Sequence, residues 1–485
     1  MADTQYGQVA GEATADGAIH IYRGIPFASP PVDSLRWRAP EAPEPWSGTR
    51  VCTTFAASPV QRSPEPFSMW SEEFLIPKEP IGEDCLYLNV WAQSRAEQQP
   101  VIVWIYGGGF NSGGSGVPIY DGEAMAREGV VFVSINYRVG ALGFLAHPEL
   151  SAEAPYGSSG NYGLLDQIAA LHWVRDNIAV FGGDPNRITI AGQSAGAASV
   201  NALVASPLAA GLFHRAIAHS GGMVASQTSN LAAAEEAGLR FADSLGVTDL
   251  EAMRALPAGV ILSAPAPPTR PVIDGYVLPL PVAELLGPGR GPNIDLLNGW
   301  TEEEGLLREP IADADTYRSR IRERYPDRTD DYLTYYPATN DSIAARSQKD
   351  AARDAMFGIQ NYGWSNMHAG YASQPVYLYR FTRRVPGEGT YADYGAFHTG
   401  DVPYAYGNLD RVDRPWTPTD RTLSQTMLTY WVNFVKHGNP NGIGLPRWPA
   451  YSAARKEIMI LGDRAGADLL PDAERLDFLF YLQSF

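Results

Sequence analysis

The stretch Arg187-Ile-Thr-Ile-Ala-Gly-Gln-Ser-Ala-Gly196 decides the fold of this chain. Its first five residues form a short apolar run, which is typical of a strand that is buried on both faces of a parallel sheet. The Gly-Gln-Ser-Ala-Gly sequence follows at once, and the residues from Ala195 to about Val204 have the composition of a helix. A Gly-x-Ser-x-Gly turn between a strand and a helix predicts a nucleophile elbow.

The chemistry of such an elbow follows from its tight geometry. Small residues two positions before and after Ser194 let the strand and the helix approach, and the serine is exposed at the carboxyl end of the sheet. The backbone N–H of Ala195, at the start of the helix, can then point at a developing negative oxygen. A plain glycine–serine turn is the alternative, and the flanking strand and helix favour the functional interpretation.

Further strands and helices are predicted on both sides of this elbow. Val101–Tyr106 and Val130–Ile135 are continuous apolar runs, and Gly163–Val180 repeats apolar residues at spacings of three or four. A strand, a helix and a strand in succession imply a right-handed βαβ unit. Additional strands are predicted at Ile294–Leu297, Val376–Phe381 and Glu457–Leu461, and a late helix at Thr422–Lys436.

These elements predict an α/β protein with a large, mostly parallel central sheet that is flanked by helices. We expect one domain over residues 1–485, because no linker or internal repeat interrupts the pattern. The segment from about 310 to 370 is polar and helix-rich, so we expect an insertion that caps the sheet.

Three consecutive glycines follow the predicted strand 101–106, in Tyr106-Gly-Gly-Gly-Phe110. Glycines let the backbone come close to a substrate and turn its N–H groups inward. A phosphate cradle is excluded, since neither Gly-Lys-Ser/Thr nor a G-x-G-x-x-G register occurs here. A flexible turn is the remaining alternative, and the downstream elbow favours an oxyanion loop.

A serine nucleophile needs a base, and the chain order in this type of hydrolase is serine, then an acid, then histidine. His368, His398 and His437 follow Ser194 at a sufficient distance. His398 lies in a loop after the predicted strand 376–381, where catalytic residues collect. His368 falls in a helical stretch and His437 at a helix end, so both are weaker candidates.

The acid should also follow a strand, and Thr301-Glu-Glu-Glu-Gly305 follows the predicted strand 294–297. Spacing does not choose among the three glutamates. We expect at least two of them to form an ordinary solvated face.

The residues resemble those of the type-B carboxylesterases, a family that includes cholinesterases and bacterial p-nitrobenzyl esterases. The likeness covers nearly the whole chain and is strongest over two signatures, Glu83–Val90 and Phe181–Gly196. It implies an α/β-hydrolase fold and cleavage of carboxylic esters through an acyl-enzyme.

The resemblance also implies roles for individual residues. It assigns Ser194 as nucleophile, His398 as base and Glu304, the glutamate directly before glycine, as the acid. The oxyanion donors that it implies are Gly108, Gly109 and Ala195. Two structural ion pairs are implied as well, and they are Arg36 with Glu83 and Arg138 with Asp166.

Two departures from the family pattern are informative. Gln193 stands where the family usually has glutamate, and the loss of that carboxylate counts against a cationic choline ester. Cys85 lacks its usual disulfide partner; a bridge to Cys52 is conceivable, but we expect free thiols, which fit a reducing compartment.

The composition of the chain excludes some classes of binding partner. A net charge of −17 argues against nucleic acid and against anionic membrane surfaces. No apolar run is long enough to span a membrane and the start of the chain has no signal pattern, so we expect a soluble cytoplasmic protein. We expect a small-molecule ester as substrate and require neither a cofactor nor a metal. The sequence does not indicate the oligomeric state.

Alternatives remain for the activity and for the pocket. The same machinery could act on carbamates or amides, and a non-catalytic binding protein is a more remote alternative. Ser220 could assist the site by hydrogen bonding or be a plain loop serine. Aromatic residues that could line the pocket, or simply pack, are Trp70, Trp300, Phe357 and Tyr394.

Overall fold

The computed structural model describes residues 1–226, 228–265, 269–307 and 311–484. Within these residues eleven strands form one central sheet. The strands are β1 Glu12–Ala13, β2 Ile19–Pro26, β3 Tyr87–Gln93, β4 Gln99–Ile105, β5 Val131–Ile135, β6 Gly183–Gln193, β7 Arg215–His219, β8 Asp295–Thr301, β9 Val376–Phe381, β10 Glu457–Leu461 and β11 Ala465–Leu469.

The spatial order of the sheet is β11-β10-β9-β8-β7-β6-β4-β5-β3-β2-β1. The strands from β5 to β10 in this order pair in parallel, and antiparallel pairs close both edges. The carboxyl ends of the parallel strands therefore share one edge, where residues far apart in sequence can meet.

Every strand that the apolar runs predicted is present, and two of their bounds differ from the prediction by four residues. β6 begins at Gly183 and β8 continues to Thr301, beyond the predicted end at residue 297. Asn298 and Gly299 do not look like strand residues, but they pair in parallel with Leu378 and Tyr379 of β9. Pairing on both sides extends a central strand through residues that its own sequence would not favour.

Helices cover the sheet, as the sequence predicted. They are α1 Glu123–Arg127, α2 Gly140–Phe144, α3 Pro148–Glu153, α4 Tyr162–Asn177, α5 Ala195–Ala205, α6 Leu231–Leu245, α7 Leu250–Ala255, α8 Ala258–Ser263, α9 Val282–Leu285, α10 Ala314–Arg324, α11 Thr329–Tyr335, α12 Asp341–Arg353, α13 Ile359–Tyr371, α14 Val402–Ala405, α15 Pro418–His437 and α16 Ala473–Ser484. A π-helical turn, Asp354–Gly358, joins α12 to α13.

The late helix α15 begins four residues before its predicted start at residue 422. Thr417 caps the helix, because its hydroxyl accepts the Asp420 N–H while the Asp420 carboxylate accepts the Thr417 N–H. This capping box satisfies the first backbone donors of the helix. Apolar periodicity marks only the buried stripe of the helix and therefore misses this polar first turn.

The long connection between β8 and β9 carries α10 to α13 and the π-helical turn. This connection contains the segment of about 310–370 for which the sequence predicted a cap. Residue 310 of that segment and residue 485 of the predicted single domain lie outside the described residues. Arg324 at the end of α10 and Phe357 in the π-helical turn line the same cleft as Ser194.

The two ion pairs that the resemblance implied are both formed. The guanidinium of Arg36 binds Glu83 through two hydrogen bonds of 2.6 and 2.7 Å. The buried Arg138 binds Asp166 at 2.7 and 2.8 Å, again with both carboxylate oxygens. Paired, bidentate geometry is what allows such charges to be buried.

The cysteines are free, as expected, and both are buried. Burial raises the pKa of the Cys52 thiol to about 11. Every helix in the described part of the chain is either too short or too polar to traverse a lipid bilayer.

Candidate active site

Ser194 lies at the predicted elbow, between β6 and α5. Its backbone has φ 58° and ψ −121°, a conformation that residues other than glycine seldom adopt. Its N–H donates to His219 O at 2.9 Å. The strand and helix cross so closely that a Cβ on Gly196 would lie 2.1 Å from Ile105 O. A Cβ on Gly192 would lie 2.5 Å from the Gly196 backbone, so both flanking positions require glycine.

The glycine loop after β4 lies directly against this elbow. Gly108 adopts φ 115°, and a Cβ there would lie 2.2 Å from Ser112 O. The N–H groups of Gly108, Gly109 and Ala195 donate to no protein acceptor within the described residues. Free amides next to a serine are the arrangement that an oxyanion hole requires.

Gln61 holds the far end of this loop, a role that the sequence did not reveal. Its Nε2 donates to Gly113 O at 2.7 Å, and its Oε1 accepts the Gly113 N–H at 2.8 Å. On the near side, Gly140 N donates to Phe110 O at 2.7 Å. The loop is therefore fixed from two sides before any substrate arrives.

His398 and Glu304 form a buried pair at the same edge of the sheet. Nδ1 of the histidine lies 2.7 Å from Oε2 of the glutamate, and the two side chains are 3% and 0% exposed. The second oxygen, Oε1, accepts the Thr301 N–H at 3.0 Å. An ionised carboxylate held in this way fixes the Nδ1–H tautomer and leaves the Nε2 lone pair free to accept a proton.

Of the neighbouring glutamates, Glu303 is exposed, as the sequence suggested, and Glu302 is half-buried, but both have partners in the protein. Glu303 accepts the Ala396 N–H at 2.7 Å and pairs with Arg384, so it fastens the loop that carries His398. Glu302 pairs with Arg380 at 2.6 Å, yet burial raises its pKa despite this cation. Each of the three glutamates has its own partner, because β8 ends where the loop that carries His398 and the connection between β8 and β9 converge.

The hydroxyl of Ser194 and the imidazole of His398 share the cleft, but no hydrogen bond joins them among the described residues. The Nε2 atom of His398 instead lies 3.0 Å from Nε2 of Gln193. With Nδ1–H directed at Glu304, this amide donates to the lone pair that a serine proton would occupy. Sequence reasoning noted Gln193 only as a departure from the family and missed this contact.

Two predicted aromatic residues surround the imidazole of His398. Phe357 stacks on the His398 ring with centroids 4.3 Å apart, and Trp70 approaches it edge-on at 6.3 Å. Trp70 also donates its indole N–H to Thr399 Oγ1 at 3.3 Å. The other two aromatic candidates, Trp300 and Tyr394, do not line this cleft within the described residues, and Trp300 is wholly buried beside Arg380.

The cleft has a volume of about 1420 Å³ and opens over the serine. Gly108, Gly109, Ser194, Ala195 and His398 all line it. Its walls come from the glycine loop, from residues between 61 and 76, from residues 221–226 and 228–234, and from the connection between β8 and β9. A space of this size accommodates a small organic molecule with room to spare.

The competing histidines lie elsewhere. His368 is buried in α13 and does not line the cleft, and burial lowers its pKa to about 4. His437 ends α15, far along the chain from any cleft residue. His398 is thus the one histidine that lines the cleft among the described residues.

A second histidine–carboxylate pair lies behind the site. His219 Nδ1 is 2.8 Å from Asp401 Oδ2, which also accepts the Tyr379 hydroxyl at 2.7 Å. Burial alone would raise the pKa of Asp401, but His219 and the Tyr379 hydrogen bond outweigh it and leave the pKa below its usual value. Ser220 is fully buried beside this pair, and its hydroxyl has no partner within the described residues.

Comparison of the sequence with known protein families gives one match over nearly the whole chain. Residues 1–479 match the model of the Carboxylesterase family. The chain belongs to the carboxylesterase family. It is an enzyme, a serine hydrolase that cleaves carboxylic esters, and the resemblance inferred from its signatures is confirmed along with the α/β-hydrolase fold.

Curated relatives of this carboxylesterase match over nearly their whole length. Fumonisin B1 esterase of Sphingopyxis macrogoltabida is 37% identical, over 96% of this chain and 86% of the relative. Para-nitrobenzyl esterase of Bacillus subtilis is 35% identical, over 98% of both chains. Carboxylesterase 4A of Bos taurus is 34% identical, over 97% of this chain and 92% of the relative.

Proposed function

We propose that Ser194, His398 and Glu304 are the catalytic triad of this carboxylesterase. The observation that carries the proposal is the 2.7 Å contact between His398 Nδ1 and Glu304 Oε2 in a cleft that also contains the strained serine. Three residues from separate parts of the chain meet at the carboxyl edge of the sheet, which is where an α/β-hydrolase carries its chemistry.

The reaction that these residues support is a two-step acyl transfer. Ser194 Oγ attacks the ester carbonyl while His398 Nε2 takes the hydroxyl proton, and collapse of the tetrahedral intermediate passes that proton to the leaving alcohol. A water molecule then repeats the sequence on the acyl-enzyme and releases the acid. Glu304 stays ionised and stabilises the imidazolium that forms at each step.

Before the attack, the serine hydroxyl must replace the Gln193 amide at His398 Nε2. The exchange requires the buried side chain of Gln193 to move away from His398 Nε2. Catalytic hydrogen bonds often tighten only when substrate is bound, so a long serine–histidine contact in the free enzyme is compatible with the proposal.

We propose the N–H groups of Gly108, Gly109 and Ala195 as the oxyanion hole. Their amides lack protein acceptors within the described residues, and Gln61 holds their loop in place. Each such donor is typically worth about 10²–10³ in rate.

The proposal also covers the cap, the domain organisation and the cellular location of the enzyme. The helices between β8 and β9 act as the cap, since Arg324 and Phe357 contribute to the cleft walls. One domain carries the whole activity on a small-molecule ester. The two free thiols support a cytoplasmic location, because a reducing compartment keeps thiols from pairing.

The test is hydrolysis of a short-chain nitrophenyl ester by wild type and S194A. The variant should lose about 10⁶ in kcat, the scale of a serine triad without its nucleophile. A fluorophosphonate should label wild type stoichiometrically at Ser194. Retention of most activity, or labelling at a different serine, would refute the triad. Rates on a matched carbamate and anilide would rank the alternative bonds.

A further inference from the structure

The charged residues that line the cleft have the opposite balance to the chain as a whole. The chain has 54 acidic and 37 basic side chains. The cleft, within the described residues, is lined by three arginines and one glutamate, and they are Arg62, Arg270, Arg324 and Glu65. An acidic protein that collects positive charge around its active site favours an anion there.

Within the described ranges, no carboxylate forms a salt bridge with any of these three arginines. Among the described residues, Arg62 and Arg270 have no salt bridge or side-chain hydrogen bond, while Arg324 lies over the Tyr325 ring at 5.2 Å. Arginines elsewhere commonly do pair, as Arg36, Arg138 and Arg383 illustrate. Unpaired guanidinium groups in a cleft remain available for a ligand.

Two of the arginines are placed beside the glycine loop by the residues that precede them. Arg62 follows Gln61, whose side chain is hydrogen bonded to Gly113 of that loop. Arg270 follows Thr269, whose hydroxyl donates to Asn111 Oδ1 at 2.5 Å. Both guanidinium groups therefore start from backbone that is tied to the loop proposed to bind the ester carbonyl.

The segment that carries Arg270 is fixed on its other side as well. Val272 N donates to Asn161 Oδ1 at 3.0 Å, and Asn161 Nδ2 donates back to Val272 O at 2.9 Å. A backbone that is held at both ends positions its exposed side chain more reproducibly than a free loop does. This anchoring separates Arg270 from an arbitrary surface arginine.

We propose that this esterase prefers esters that carry a free carboxylate, which Arg62 and Arg270 bind while the ester carbonyl occupies the glycine loop. The proposal rests on the proposed catalytic site and adds a substrate class to it. The planar guanidinium fork matches a carboxylate in two parallel hydrogen bonds, so arginine suits this task better than lysine would. Arg324, on the cap, adds to the positive field around the bound anion.

The test compares matched anionic and neutral substrates. On the acid side these are the 4-nitrophenyl half-ester of adipic acid and 4-nitrophenyl hexanoate, which have equal chain length. On the alcohol side they are 4-acetoxybenzoate and 4-acetoxybenzamide. The variants are R62Q, R270Q and the double variant, with R464Q as the control. Arg464 is exposed, has no salt bridge or side-chain hydrogen bond among the described residues, and lies outside the cleft lining.

In at least one pair, each single variant should lower kcat/KM for the anionic ester about 10-fold, mainly through KM, and the double variant should lower it further. The rate on the neutral ester should stay within about twofold of wild type, which also shows that the variants fold. Added salt should shrink the preference of wild type, because it screens exposed charges.

Equal anionic-to-neutral ratios in wild type, R464Q and the double variant for both pairs would overturn the anion site, while the esterase proposal would stand. Hydrolysis of neither member of either pair by wild type would overturn the proposed function and this inference together.

Discussion

Two buried histidine–carboxylate pairs among the described residues are nearly alike in geometry. His398 Nδ1 lies 2.7 Å from Glu304, and His219 Nδ1 lies 2.8 Å from Asp401. His219 is the last residue of β7, and His398 lies in the loop that follows β9 of the same sheet. Both pairs are almost fully shielded from solvent. By distance and burial alone, either could be the acid–base pair of an enzyme.

The difference lies at the opposite ring nitrogen. Nε2 of His219 accepts the indole N–H of Trp431 at 3.1 Å, and neither residue lines the cleft within the described part of the chain. Nε2 of His398 faces the Gln193 amide in the cleft that contains Ser194. A carboxylate partner therefore does not by itself make a histidine a base; an Nε2 atom that a nucleophile can reach does.

The largest difference between the two pairs should appear in kcat when each imidazole is removed in turn. H398A should lower kcat on a nitrophenyl ester by about 10⁶, since loss of the base disables a serine triad as fully as loss of the serine. H219N should change kcat by less than about tenfold, because its Nε2 has no route to the substrate. Steady-state kinetics on the two purified variants makes the comparison.

Thermal unfolding of the same two variants supplies the control. H398A should unfold close to wild type, because His398 lines the cleft and water can take its place beside Glu304. H219N should unfold at a lower temperature, since it removes the imidazole N–H from the fully buried Asp401, where water has no access. Comparable losses of activity in two equally stable variants would mean that the pairs do not divide into catalytic and structural roles.

The carboxylates should separate in the same way at a smaller scale. E304Q should lower kcat by about 10⁴, because the amide no longer enforces the correct tautomer of His398. D401N should lower the free energy of unfolding by about 1.5–3 kcal/mol, the usual contribution of a hydrogen bond to a charged group, and leave kcat within tenfold. Urea unfolding and steady-state kinetics measure the two quantities, and a D401N variant that is stable but inactive would contradict the division.

How far the sequence predicts this site depends on the range of the interactions. Ser194 and its glycines are set by local sterics, so a ten-residue window predicts the elbow. The apolar runs predict the strands because burial on both faces leaves a continuous pattern. The ends of β8 and α15 escape such reasoning, since strand pairing and a capping box decide them.

The acid and the base illustrate the limit. Spacing left three glutamates open, and only the family resemblance singled out Glu304. The structure shows that Glu302 and Glu303 are equally engaged, but with arginines and with the Ala396 amide. Which partner each glutamate has depends on contacts with β9 and the histidine loop, more than 70 residues away. Contacts of that range leave no local pattern.

A finer test of how the two histidines differ uses the N–H groups that donate to their Nε2 atoms, from Gln193 and from Trp431. Q193A removes the amide that occupies Nε2 of His398 and should raise kcat/KM on a small neutral ester by up to about tenfold. A hydrogen bond of about 0.5–1.5 kcal/mol would no longer have to break before serine donates its proton. W431F removes the corresponding donor on His219 and should leave kcat/KM unchanged.

Both variants should be measured with the same uncharged substrate, so that the charge balance of the cleft has no influence. A fall in kcat/KM for Q193A would show that the amide orients His398 for catalysis instead of competing with Ser194. A matching rise in W431F would point to a general loosening of the sheet edge and not to an effect at Nε2.

The smallest effect concerns the pH dependence of the structural pair. The pKa of Asp401 in the folded chain lies below its usual value of 3.8, so its ionised form stabilises the fold. That stabilisation is complete well above pH 3.8 and is lost as the pH falls through the lower folded pKa. The gap in unfolding free energy between wild type and D401N should therefore be constant from pH 7 to pH 5 and shrink below pH 4. Urea unfolding across this range measures the gap. The contributions of the protein's other carboxylates are the same in wild type and D401N, so they cancel in the difference. A gap that widens on acidification would mean that burial dominates at Asp401 and that its pair with His219 does not stabilise the ionised form.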